Sequence, residues 1–229
     1  SVAGGDYTEA GSFTSRAVVG ETTVALTSWT GGNVFDEGGS VTVDVGAGEP
    51  SSSTRDALLN TDANAMLVGS EIIQFRIATL VSAGVYKLTG LLRGRRGTEH
   101  AMTGHAIGET VVLLRTAGLL RVSYDAARIG TSADYKAVTL GKTLASATTR
   151  SIVDSGIALK PVAPADLRVS ASTAQAIDIT WSRRTRLSFN SFNSTGLPIP
   201  LGEASESYLV TIATVSPAAT LRTIAATSE

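Results

Sequence analysis

The chain has 229 residues, a formal net charge of −1 and no cysteine. A disulfide framework and a thiolate zinc site are therefore excluded, and the charge argues against specific nucleic-acid binding. The length can bury one large core or two smaller ones, and no run approaches the roughly 18 apolar residues of a membrane-spanning helix.

In chain order, almost every segment reads as strand. The opening SVAGGDYTEAG has neither an initiator Met nor a signal-peptide pattern, and is read as part of an excerpt from a longer polypeptide. TGGN (30–33) and DEGGS (36–40) are turn chemistry, rich in residues tolerant of positive φ. SVTVDV (40–45) alternates and predicts a strand. STRDALLNTDANAML (53–67) allows one helical turn with Ser or Thr as its cap. Alternation resumes in 71–80, 84–92, 109–114 and 119–124, with SAG (82–84) as a turn.

A boundary is expected in ALKPVAPADL (158–167), where Pro161 and Pro164 stiffen the chain. It divides a β-rich sandwich or barrel-like module, 1–160, from a second unit, 161–229. In that unit Ile177, Ile179 and Trp181 share one strand face, and Tyr208, Val210 and Ile212 share another. A proline-rich entry, a strand ending in Trp and a Tyr-x-Val strand resemble the start of a fibronectin type III domain. Such a sandwich needs seven strands and roughly 100 residues, so 161–229 is expected to be truncated and to hold about four strands and a long loop. The fold class is all-β.

The charge-bearing stretch is LLRGRRGTEHAMTGH (91–105), which holds both histidines, His100 and His105, with Arg93, Arg95, Arg96 and Glu99. As a metal site it lacks the helical i, i+4 histidine pair of H-E-x-x-H and any obvious third ligand, so no metal or other cofactor is expected. Glu71, Glu99, Glu109 and Glu203 could supply paired carboxylates for hydrolysis, but nothing in the linear order brings two together. No nucleophile elbow, phosphate loop or dinucleotide fingerprint is present, and a non-enzymatic chain is expected. Two readings of RGRRG stay open. The arginines could face a phosphate or acidic sugar, or they pair with Glu99, Asp56, Asp62 or a neighbouring subunit. Without net positive charge, the structural reading is preferred. A second cluster places Arg183, Arg184 and Arg186 after one strand and Glu203 and Glu206 before the next, where ion pairs could form. Fifteen arginines against four lysines suit bidentate pairs and interfaces, although a GC-rich genome gives the same ratio.

R-G-R-R-G-T-E (93–99), within 64–114, and W-x-R-R-T-R (181–186) followed by P-L-G-E-x-x-E-x-Y (200–208) together resemble the C-terminal region of a known protein family. It is the tail-tip hub ("megatron") family of gene transfer agents and related long-tailed phages, and the resemblance runs from about Phe13 to the end. It implies a structural component of the baseplate hub at the distal end of a virion tail. The implied partners are other copies of the chain in a three-fold assembly, neighbouring tail-tip proteins, tail fibres and the host cell surface. Larger members carry a glycoside-hydrolase-like domain before this region, whose activity does not transfer to these residues. Arg93, Arg95, Arg96, Arg183, Arg184 and Arg186 are the expected interface residues. The alternative is a surface-glycan binding β-sandwich accessory to an enzyme, which exposed aromatics on one face would favour.

Overall fold

The structure is a computed structural model that describes all residues except 1–5, 14, 33, 121, 123–124, 174–175, 187–198 and 228–229. It is all-β, with a single short α-helix among the described residues. Six strands close into a barrel: β1 (Val18–Val24), β2 (Phe35–Asp44), β3 (Ala65–Val68), β4 (Glu71–Ser82), β5 (Val85–Leu92) and β6 (Thr110–Leu113). Their order around the wall is β1-β2-β5-β4-β3-β6, and every neighbouring pair is antiparallel.

Closure depends on β1, which pairs with β2 along one edge and with β6 along the other, aligning Val18 with Leu113 and Glu21 with Thr110. The period-2 pattern decides what fills the interior. Val41 and Val43 on β2, Ile73 and Phe75 on β4, and Val111 and Leu113 on β6 all turn inward. Met66, Val68 and Leu88 join them in the packed core, with Leu26, Val45 and Leu91.

Several expectations from the sequence are corrected here. The DEGGS stretch is not a turn between strands but a bulge inside β2. Its register against β5 shifts between Asp36 and Ser40, and the Gly39 amide donates to Asp36 Oδ1 at 2.6 Å. The helical segment α1 is shorter than 53–67 allows. It runs Arg55–Asn60 with Thr54 as its cap, and the residues after it form β3. Of the strand expected at 119–124, positions 121, 123 and 124 lie outside the described residues, and 119, 120 and 122 carry no strand.

Beyond the barrel the strands form separate hairpins: β7 (Ser132–Lys136) with β8 (Thr149–Val153), β9 (Ala165–Thr173) with β10 (Ala176–Ser182), and β11 (Tyr208–Val215) with β12 (Ala218–Ala226). β9 begins at Ala165, directly after Pro164. The Trp181 ring on β10 meets the Tyr208 ring on β11 edge-to-face, with centroids 5.0 Å apart, so an aromatic contact joins those two hairpins. No helix among the described residues is long and apolar enough to cross a membrane.

Candidate functional site

Two charged clusters account for the arginine-rich motifs, and they differ in burial. The first is inside one end of the barrel. Glu71 opens β4 with the same parity as Ile73 and Phe75, so its carboxylate points inward. Arg93 follows the last residue of β5 and reaches back to it. Its Nε donates to Glu71 Oε1 and its Nη2 to Glu71 Oε2, both at 2.8 Å. Both side chains are fully buried. Remaining guanidinium protons go to the Thr27 carbonyl at 2.9 Å and the Met102 carbonyl at 3.3 Å, with Asp36 Oδ2 3.6 Å away. The Gly94 amide adds a 2.7 Å bond to Glu71 Oε1. A buried carboxylate is tolerated only when its lone pairs are filled in this way.

His105 extends the network. Its Nε2 lies 2.8 Å from Glu71 Oε2 and its Nδ1 2.6 Å from Glu109 Oε2. Each ring nitrogen thus faces a carboxylate oxygen at hydrogen-bond distance, which fixes the ring between the two acids. Two carboxylates from the set considered for hydrolysis thus do come together, on either side of a histidine. The ring is 3% exposed and Glu71 is fully buried, so these contacts tie the barrel wall together from inside. Arg93, expected at a subunit contact, lies inside this network. The parity of Glu71 with Ile73 and Phe75 was the one linear signal that could have marked it as an inward carboxylate.

The second cluster lies outside the barrel and links it to the following segment. The backbone after β5 makes two tight 3-10 turns, at Arg95–Gly97 and Glu99–Ala101. Gly94 must have φ +57°, and a Cβ there would come 2.8 Å from Met102 Sδ, so both the turn and the packing demand glycine. Arg96 also has φ +57°, which is strained for a residue with a branched-off Cβ. Thr98 fastens the turn by accepting from the Ile72 amide at 2.9 Å and donating to the Arg95 carbonyl at 2.8 Å.

These turns separate the three arginines of RGRRG. Arg95 is buried and donates from Nε to Gln74 Oε1 at 2.6 Å. Burial first, and the neighbouring Arg184 and Arg96 second, pull its pKa down to about 10. Arg96 is exposed and pairs with Asp62. Arg184, which is buried and comes from the end of β10, pairs with Glu99 and donates to the Ala163 carbonyl at 3.2 Å. Its Nε has no hydrogen-bond partner among the described residues. Arg183 pairs with Glu206 and Arg186 with Glu203, as the sequence pattern allows, although β10 and β11 share no backbone ladder. Tyr208 donates its hydroxyl to Glu206. Of the two tryptophans, Trp181 is occupied by Tyr208, and Trp29 donates from its ring nitrogen to the Gly32 carbonyl at 2.9 Å.

The barrel itself carries a family likeness. Residues 17–112 match the family model described as Rcc01698-like, C-terminal, a family linked to gene transfer agents. The match coincides with the barrel. It begins one residue before β1 and ends one residue before the last residue of β6, so it encloses Glu71, Arg93, His105 and Glu109. The link is consistent with a component of a virion-like particle. No curated protein matches the chain.

Proposed function

We propose that the chain is a structural, non-enzymatic component of the tail tip of a phage or gene-transfer-agent particle. In this reading it serves in the baseplate hub, and it supports assembly and attachment to fibres or the host surface. The observation that carries the reading is the match of residues 17–112 to a family linked to gene transfer agents, over the same span as the closed barrel. The physical character of that barrel supports it. A wall with no free edge and a buried, hydrogen-bonded Arg–Glu–His–Glu network suits a rigid building block better than a mobile one. In this reading the exposed Arg96 and Arg186 and the half-buried Arg183, each already oriented by a carboxylate, would meet neighbouring copies.

The test is localisation in the intact particle. An epitope tag added to the native gene product should be labelled by immunogold at the tail end remote from the head. Particles lacking the protein should have incomplete tips. Labelling of the head, or tagged particles with no label and normal tips without the protein, would sink the proposal.

A further inference from the structure

We infer that the cleft between the Arg95–Ala101 turns and the 157–163 connector binds a small oxyanion, a phosphate or carboxylate group, through Arg96, His100, Lys160 and Arg186. The cleft measures about 310 Å³, large enough for a phosphate or a sugar acid. Four basic side chains and one carboxylate, Glu99, line it. Glu99 is already engaged by Arg184.

Charge bookkeeping around the cleft favours an anion. Arg95, Arg96, Arg184, Arg186 and Lys160 bring five positive charges to this region, against three carboxylates, Asp62, Glu99 and Glu203. The excess stands out in a chain whose net charge is −1. The guanidinium of Arg95 registers the crowding, since Arg184 and Arg96 both work against its charge. Among the described residues, no hydrogen bond or ion pair holds the side chains of His100 and Lys160, and both are exposed. A fixed concave surface with unbalanced positive charge concentrates anions from solution. The left-handed backbone at Arg96 holds that arginine at the cleft despite its conformational cost, a pattern found where geometry serves binding.

The experiment titrates the whole chain at low ionic strength, following backbone amide shifts by NMR. Inorganic phosphate is the ligand in one arm and digalacturonate in the other, with neutral maltose as control. Lys160→Gln and His100→Gln are the test variants, because each removes an exposed side chain that holds no partner. The expected result is saturable binding in at least one charged arm and none with maltose. Each variant should weaken it about tenfold at unchanged melting temperature. Binding in the phosphate arm alone identifies a phosphate site, and binding in the uronate arm alone an acidic-glycan site. Absence of saturable binding in both arms, or binding by both variants equal to wild type, would overturn the inference.

Discussion

The guanidinium of Arg93 grips the carboxylate of Glu71 with two parallel hydrogen bonds of 2.8 Å, one from Nε and one from Nη2, inside the wall of a six-stranded barrel. Neither side chain touches solvent. The pair therefore behaves unlike a surface ion pair, which contributes at most about 1 kcal/mol.

Removing one partner strands the other charge. Glu71→Gln and Arg93→Met should each lower stability by roughly 3–5 kcal/mol. The double variant should lose less than the sum, because neither member of the pair is left facing a missing partner. Urea denaturation of the four proteins as a double-mutant cycle checks this. Additive losses would show that the two side chains act independently.

Arg96 separates a backbone effect from a charge effect. Arg96→Ala loses the Asp62 pair and keeps the strained φ of +57°. Arg96→Gly loses the same pair but relaxes the backbone, and should be about 1 kcal/mol more stable than the alanine variant. Thermal melts of the two variants decide it. An alanine variant as stable as the glycine variant would mean that the turn does not hold a left-handed residue there.

The Arg184–Glu99 pair joins the barrel's loop to the end of β10. Arg184 is buried, so Arg184→Ala should expose Glu99 to an unpaired state and loosen the connection. Hydrogen exchange at Ala163 and Ala165 and in the 95–101 turns should rise together in that variant, while the amides of β2 and β5 stay protected. Exchange confined to one side of the pair would refute the coupling.

Tyr208 supplies a pH test. Burial first, and then its hydrogen bond to the Glu206 carboxylate, raise the phenol above its usual value of 10.0. A raised pKa in the folded state means that the proton stabilises the fold. That contribution is complete below pH 10 and is lost as pH climbs through the folded value. The difference between alkaline absorbance titrations of the wild type and of Tyr208→Phe should be a phenolate band that develops above pH 10. A difference band developing at or below pH 10 would contradict the assignment.

Much of the fold was legible because alternation is a direct imprint of a pleated, one-sided wall. β4 and β5 lie close to where the pattern puts them, and so do β10 and β11. What the pattern missed had physical reasons. β1, VVGETTV, turns Val18, Gly20 and Thr22 inward and leaves Val19 and Val24 exposed, so its inward face carries one large apolar residue and gives little hydrophobic signal. The glycines of DEGGS serve a bulge, and bulge and turn draw on the same residue chemistry. The charged site was legible only in outline. R-G-R-R-G marks a sharp departure from a strand, but it does not say which arginine turns inward. That is decided by Glu71, 22 residues away from Arg93, and by the sidedness of β4.

The pairing of Val18 with Leu113 also bears on how fast the chain reaches its native state. The hairpin of β4 and β5 needs only a two-residue turn and can zip locally. The seam between β1 and β6 has to wait until nearly the whole barrel segment has been threaded between them, so its formation carries the largest entropy of chain closure. A rate-limiting step late on the folding path follows, in which the seam forms after β2 to β5 are assembled. Until it closes, β1 and β6 offer unsatisfied strand edges to other nascent chains, which makes the interval before closure the window for aggregation during synthesis.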